Sequence, residues 1–418
     1  MPMLDSVKTA FKLPDLRKKI FFTVGMLFLF RLGAHIPVPG FKPISSLGEA
    51  GNLFNLLDIL SGGALRKMSL FALSVNPYIT ASIIMQLLTM VIPALERMQR
   101  EGVEGRRKIT QYMRYGAILL AVVQGWAYTV NFSEYLISDS LWNIAQIIIV
   151  MTAGSMLLMW IGELIAEYGL GNGISLIIFA GIVARFWPGA IQFVRSIGSG
   201  GIDWYMAVLY AAGAVAIVAL VVAVNEGQRR IPVQYAKRVV GRRMYGGQTT
   251  HIPLRVNQAG VIPIIFAVSV LSFPPTLAGF FPEVGFIRAI QKLFLPSSWV
   301  YMAAYAIMVF LFTFFYTAAT FNPIEVSNNL KKYSGFIPGI RPGKPTSDYL
   351  DKILTRITFA GGVFLTFVAL LPNMVTRFFN MSAGFSGTAL LIAVGVAIDT
   401  MRQIESHLIM RQYEGFLK

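Results

Sequence analysis

The chain of 418 residues contains no cysteine. Disulfides, thiolate metal sites and cysteine nucleophiles are excluded by composition alone. Histidine is nearly as scarce, and His35, His251 and His407 stand too far apart for the paired-imidazole spacing of a helical metal site. Charged residues make up only 13% of the chain, against roughly 25% in a soluble domain. Acidic residues are the rarer sign, 20 against 36 Lys and Arg, which leaves a formal balance of +16. What fills the chain instead is apolar: 55% of the residues are hydrophobic and the mean hydropathy is +0.63. So much apolar surface does not fit inside one water-soluble core, so the bilayer is the expected solvent for most of it.

A helix crossing about 30 Å of hydrocarbon at about 1.5 Å per residue needs about 20 mostly apolar residues. Ten segments qualify, at about 20–36, 70–92, 111–130, 141–164, 174–194, 204–224, 259–281, 299–321, 353–375 and 385–400. The expected class is therefore an all-α polytopic membrane protein with ten transmembrane helices. Arg17, Lys18 and Lys19 precede the first apolar run as they would in a secretory signal, but Arg31 interrupts it and Ile36-Pro37-Val38-Pro39 follows without a small-residue cleavage pattern. A retained first helix is the expectation. Most Lys and Arg then fall on one face: before span 1, between spans 2 and 3, 6 and 7, 8 and 9, and after span 10. The positive-inside rule puts that face and both termini in the cytoplasm.

Two connections on the basic face are longer than a turn needs. Residues 225–257 carry Arg229, Arg230, Lys237, Arg238, Arg242 and Arg243, and residues 322–356 carry Lys331, Lys332, Arg341 and Lys344. They read either as solvated loops held inside by charge or as docking fingers for a large, partly acidic partner. Ten spans divide into two halves of five, 1–194 and 195–418, and an odd number per half makes the halves inverted and pseudo-symmetric. The fifth span of each half reads as short, stopping near Arg185 and Pro188 and near Asp399. The second span of each carries a proline, Pro77 and Pro263.

Val75 and Ile79, Ile174 and Ile178, and Ile262 and Ile265 recur at or near one helical turn. Such residues face lipid or pack in a core, or they meet as an aliphatic constriction that excludes ions by dewetting. Residues 52–69, rich in Leu and Ile and ended by Gly62-Gly63, form a short element that cannot span; it either lies on the membrane surface or folds back as a plug. Chemistry is otherwise thin. Glu163 and Glu167 share a helical face without His or metal-ligand partners, Asp399 and Arg402 read as a local ion pair, and Arg31 snorkels or pairs in the bundle. The stretch around Gly339–Lys344 lacks phosphate-loop spacing, because Pro338 and Pro345 occupy its key positions. A channel, a small-solute carrier with inverted repeats, and an intramembrane enzyme using the two glutamates all remain open on these features.

Several motifs narrow them: Arg31-Leu32-Gly33 with Ile36-Pro37-Val38-Pro39-Gly40; the run Asn76 to Leu88; Glu101-Gly102 with Gly105-Arg106-Arg107-Lys108; Gly162-Glu163-Leu164-Ile165 through Gly171-Asn172-Gly173; Gln228-Arg229-Arg230-Ile231-Pro232; and Phe336-Ile337-Pro338-Gly339-Ile340-Arg341-Pro342-Gly343. With these the chain resembles the SecY family, the central channel subunits of the bacterial Sec protein translocase, from about Leu16 to Arg411. The resemblance implies a protein-conducting channel of the bacterial cytoplasmic membrane, without cofactor, metal, catalytic residue or small-molecule substrate. It passes unfolded polypeptides across, and signal segments sideways into membrane lipid. It implies a pore ring at Val75, Ile79, Ile174, Ile178, Ile262, Ile265 and Ile392. The plug falls on Phe54, Leu56, Leu57, Ile59, Leu60, Gly62 and Gly63, and the lateral gate on Thr80, Ile83 and Gln86 against spans 7 and 8. Docking of a SecA motor ATPase or a ribosome falls on Arg229, Arg230, Arg242, Arg243 and Arg341. SecE and SecG are the implied small membrane partners, and signal-bearing preproteins the clients. Val75 stands where bacterial relatives often have isoleucine, one methylene larger.

Overall fold

A computed structural model describes residues 11, 13–44, 58–198, 203–235, 238–240, 243–245, 249–278, 298–379 and 387–416. The ten expected spans are all helices. They are α1 (Pro14–Gly33), α2 (Asn76–Val91), α4 (Val103–Asn131), α5 (Leu141–Tyr168), α6 (Gly173–Gly198), α7 (Trp204–Glu226), α8 (Ile262–Ala278), α9 (Trp299–Thr320), α11 (Lys344–Phe379) and α12 (Gly387–Phe416). Two further helices, α3 (Pro93–Arg100) and α10 (Pro323–Lys332), lie on the basic face. Among the described residues, α5, α6, α7, α9 and α11 are long and apolar enough to cross a membrane by themselves. Of the others, α4 carries Glu104, Arg106, Arg107 and Lys108 in its first turns, α2 is short, and α12 carries Asp399, Arg402 and Glu405 along its length. Large apolar side chains point outward all round the bundle, among them Phe21, Trp126, Trp160, Val215 and Leu311. Lipid is the solvent that such a surface requires.

The short helices are not the ones expected. Helix α6 runs without a break past Arg185 and through Pro188 to Gly198, and α12 continues past Asp399 to Phe416. Helix α2, the second of the first half, is short with 16 residues, while α8 is described from Ile262 to Ala278. Their prolines start them rather than break them: Pro77 and Pro263 sit in the first turn, where a missing N–H removes no helical bond. Both helices thus begin inside the bundle. At its other end α2 meets Pro93, and Ile92 is held extended, so α3 leaves at 101° to α2.

Before α2, residues 61–75 form a run of turns, buried except at Arg66, Lys67 and the half-buried Leu70, and such backbone at membrane depth is tolerated only where protein satisfies it. Here it does. Gly63 N–H donates to the Asp58 carbonyl at 2.7 Å, Leu70 N–H to Ile36 at 2.8 Å, Val38 N–H to Met68 at 2.8 Å and Ser74 N–H to Phe71 at 2.9 Å. Ser155 Oγ on α5 donates to the Ser74 carbonyl at 3.1 Å. Next to it, Gly154 lets α5 come so close that any Cβ there would overlap the Leu70 carbonyl oxygen. Small residues set this approach as they do wherever membrane helices meet closely.

The halves touch along two seams. Helix α2 packs on α8, while α12 packs on α6 and α7, and α8, α9 and α11 lie side by side behind them. One apolar cluster runs through both halves, from Phe30 and Leu60 through Ile178 and Ile265 to Val309, Val368 and Ile392. A second, around Val38, Leu65, Met68, Leu73, Tyr128 and Ile147, closes the face opposite the basic one.

The two long basic connections are not open loops. Strand β1 (Gln228–Tyr235) pairs antiparallel with β4 (Thr249–Arg255), in register Ile231 to Ile252, and β1 also pairs with β5 (Gly335–Phe336) through Gln234 to Phe336. A separate small hairpin, β2 (Arg238–Val240) and β3 (Arg243–Tyr245), lies between β1 and β4 in sequence. Sequence reading missed this sheet because its strands are short, basic and carry Pro232 and Pro253.

Gly154→Val is expected to lower stability by about 2–3 kcal/mol through overpacking against the Leu70 backbone. The check is thermal unfolding of the detergent-purified protein, with Gly213→Val, which has nothing within 4 Å, as the neutral control.

Candidate functional site

Helix α6 is the spine of the site. Ile174, Ile178, Gly181 and Arg185 follow one another at four, three and four residues, the spacing of a single helical face. Ile178 is buried and Ile174 half-buried, both in or against the central apolar cluster. That cluster also takes in Val75 at the start of α2, Ile79 one turn on, Ile265 on α8 and Ile392 on α12, with Ile262 packed against it. The structure therefore brings all seven expected ring residues, from four helices, into one aliphatic body.

One turn further along the same face lies Gly181. Any side chain there would stand 2.5 Å from the Leu60 carbonyl oxygen and 3.0 Å from the Gly62 nitrogen. The expected plug is thus seated backbone to backbone on α6. Asp58 to Leu60 form one helical turn, and Gly62 and Gly63 follow with φ of +70° and +88°, a conformation open to glycine at no cost. The segment is buried from Asp58 through Leu65, apart from the half-buried Ile59. Folding back is therefore the observed arrangement, and the surface-lying alternative is excluded for residues 58–65. Phe54, Leu56 and Leu57 lie outside the described residues.

Two arginines hold this segment. Arg185 Nη2 lies 2.5 Å from Asp58 Oδ2, and Asp58 Oδ1 accepts from Arg66 N–H at 2.9 Å. Arg31 Nη1, from the end of α1, donates to the Gly62 carbonyl at 3.0 Å. Sequence reading weighed Arg31 but took Arg185 as the end of a span and gave Asp58 no role. The available signal was a lone cation inside an apolar span, which needs a partner.

On α2, which packs on both α4 and α8, Thr80 and Ile83 are buried and Gln86 half-buried. Thr80 Oγ1 is turned back onto the Asn76 carbonyl at 3.0 Å, which leaves this seam mostly apolar.

On the basic face, Ile231, Val233, Leu254, Leu330, Ile337, Leu350 and Ile353 form a small core of their own beneath the sheet. Arg229 and Arg230 project outward from β1, which alternates exposed and buried residues. Arg341 is exposed in the adjoining loop, which is fixed by Thr346 Oγ1 donating to the Arg341 carbonyl at 2.8 Å and Ser327 Oγ to Gly343 at 2.6 Å. The two connections are one platform. Arg243 lies on β3, and Arg242 lies outside the described residues. His407, on the same face, is held below its usual pKa by burial and then by the Lys19 charge, so it adds little positive charge at neutral pH.

Glu163 is engaged by Arg114 in a two-point pair, at 3.0 Å from Nε and 2.7 Å from Nη2. It braces α4 against α5, in keeping with a structural role. The expected Asp399–Arg402 pair is not formed; Arg402 Nη2 instead donates to the Asn225 carbonyl at 2.6 Å, beside an Asn257 to Asn225 side-chain bond of 2.7 Å.

A family model described as SecY matches residues 69–401. The protein translocase subunit SecY of Streptomyces scabiei is 45% identical over 438 aligned residues, covering all of both chains. That of Mycobacterium bovis is 46% identical over 449, again covering both fully. Among solved structures, one described as a protein conducting channel has a TM-score of 0.68 at 20% identity, over 93% of this chain and 92% of that one. Sec61 in a canine ribosome-channel complex has a TM-score of 0.65 at 19% identity, with the same coverage. These structural likenesses are likenesses of fold.

Gly181→Val removes the seat of the Leu60–Gly62 backbone. Amide hydrogen exchange of residues 58–65 should quicken by about tenfold or more, while α6 itself stays protected; unchanged exchange would show that the close approach is not what holds the segment.

Proposed function

This chain belongs to the SecY family and is a protein-conducting channel; we propose that its gate is the aliphatic body between its halves. What supports this reading is that Val75, Ile79, Ile178, Ile265 and Ile392, with Ile174 and Ile262 packed against them, share one apolar cluster with Leu60 and Ala64, and that Leu60 and Gly62 lie against Gly181 on α6. A collar of branched aliphatics has no directional preference. It dewets when empty, which bars ions, yet it slides past a polypeptide of any sequence. A small-solute carrier would need polar groups at this point, and the ring positions supply none.

The segment at 52–69 acts as the plug, covering the ring from the side away from the basic face. Thr80, Ile83 and Gln86, at the seam of α2 with α8, form the lateral gate through which an apolar signal helix partitions into lipid. The halves 1–194 and 195–418 part along that seam. The basic face and both termini lie in the cytoplasm of a bacterial cell, in accord with the positive-inside rule. The platform bearing Arg229, Arg230, Arg242, Arg243 and Arg341 takes the SecA motor ATPase or the ribosome, whose acidic or phosphate surfaces suit exposed guanidinium groups. SecE and SecG complete the assembly. The chain itself does no chemistry; work comes from the partner.

The test is translocation of a signal-bearing preprotein into vesicles holding the chain, its small partner and the motor. Arg341→Glu should abolish ATP-dependent protease protection of the preprotein while leaving resting ion conductance unchanged. Ile79→Asn or Ile178→Asn should do the reverse, raising resting conductance about tenfold or more by wetting the collar. Background conductance in both asparagine variants would refute the gate, and normal transport by the charge reversal would move the motor's grip elsewhere.

A further inference from the structure

The 58–69 segment is fastened by more than packing. Asp58 has 0% side-chain exposure, and its carboxylate meets Arg185, whose side chain is 27% exposed. Gly63, with no side chain, allows the Arg185 stem to pass close by: a Cβ there would be 3.6 Å from Arg185 Cδ. From the other side Arg31 holds the Gly62 carbonyl. Helix α6 enters from the basic face, so Arg185 stands about 18 Å up its axis, twelve residues from Gly173. That is beyond Ile178 and Gly181, at the middle of the helix. A carboxylate and a guanidinium this deep are retained only if they do something, since burying both costs more than packing apolar groups there.

We propose that Asp58 and Arg185 form an electrostatic latch that holds the plug shut and sets how readily the channel opens, with Arg31 as its second clasp. This rests on the reading of 52–69 as the plug. Opening must separate Asp58 from Arg185, because the carboxylate moves with the segment and the guanidinium belongs to α6. The pair is directional and single, unlike the diffuse apolar contacts of Leu60 and Ala64 with the central cluster. Breaking it lowers the threshold for opening in one step.

The burial asymmetry gives the proposal a signature. Removing the Arg185 charge leaves a fully buried carboxylate without its cation, which strongly favours the open plug. Removing the Asp58 charge leaves an arginine that already reaches solvent and can hydrate. Resting ion leak, read in vesicles holding the complete channel complex, should therefore rise by about tenfold or more in Arg185→Gln, by less in Asp58→Asn, and hardly at all in Arg185→Lys. Preproteins with weakened signals should pass in the same order. A leak in Arg185→Gln no greater than wild type overturns the latch, as does equal leak in Arg185→Gln and Arg185→Lys.

The chain's lack of cysteine provides a control that keeps the protein folded. In D58C/R185C, both latch charges are gone, so the unlinked channel should leak; a short bismaleimide joining the two thiols should seal it and stop translocation. If linking stops translocation but the unlinked channel does not leak, the plug stands and the latch fails. If the linked channel still translocates, the plug reading itself fails, and the latch with it.

Discussion

Everything near the centre of this molecule follows from one constraint: residues 58–75 place irregular backbone at membrane depth, where each unpaired N–H or carbonyl costs several kcal/mol. The segment cannot satisfy that demand alone. It borrows from the chain just after α1 through Leu70 and Ile36, from α5 through Ser155, and from α1 itself through Arg31 on the Gly62 carbonyl. Those borrowed bonds fix how closely α1, α5 and α6 approach, and so dictate glycine at 62, 154 and 181, where a side chain would meet backbone. Residues 58–75 are thereby a packed part of the fold, although beyond the turn at 58–60 they contain almost no regular structure.

Helix α6 shows how the same face of one helix divides its labour. Ile174 and Ile178 contribute aliphatic bulk, Gly181 contributes absence, and Arg185 contributes charge, in rising order from the basic face. The three kinds of contact differ in what they permit. Aliphatic contact is non-directional and re-forms around whatever lies between the helices. Backbone contact at Gly181 is a matter of shape and is lost with a small shift. The charged contact is the only one of the three that a specific displacement either makes or breaks. A seal that must reopen around changing cargo is well served by that separation, because the part that tolerates variety and the part that sets the threshold are different residues.

The amount of this that sequence carries follows from how local each signal is. The ten spans were legible because apolar length is a property of a segment by itself, and their helices fall where hydropathy puts them. Pro77 and Pro263 were noticed inside the second spans, but not that they stand in first turns, because a proline's consequence depends on whether helix precedes it. Arg185 and Asp399 looked like helix ends for a related reason: a charge in an apolar run reads as a boundary unless its partner is known. Arg185 finds Asp58 across 127 residues of sequence and the helix simply continues. The ring residues were visible as pairs by spacing, but their meeting as one body, and the place of Ile392 in it, needed the family resemblance. The sheet on the basic face was illegible, since strands of two to eight residues with prolines in them carry no periodic signal worth the name.

The platform is joined to the ring by a short and stiff route. Asn225, at the end of α7, accepts at its carbonyl from Arg402 of α12 and at its side chain from Asn257, which follows β4. Both stems of the hairpin and the continuation of α12 are thus tied at one point. Asn257 Nδ2 also donates to the Gly260 carbonyl at 3.1 Å, two residues before Ile262 opens α8. Val256 and Asn257 in turn press on Gly361 of α11, where only a glycine leaves room for the Val256 carbonyl. A load applied at Arg229, Arg230 or Arg341 therefore reaches α7, α8, α11 and α12 through covalent chain and buried polar bonds, without crossing a soft apolar layer. Two of those helices carry Ile262, Ile265 and Ile392. The N-terminal half has no such tie to the platform among the described contacts, and its ring residues, Val75, Ile79, Ile174 and Ile178, are fixed instead by the 58–75 segment. The two sets of aliphatic residues are thus tied differently, Ile262, Ile265 and Ile392 to the basic face and the other four to residues 58–75.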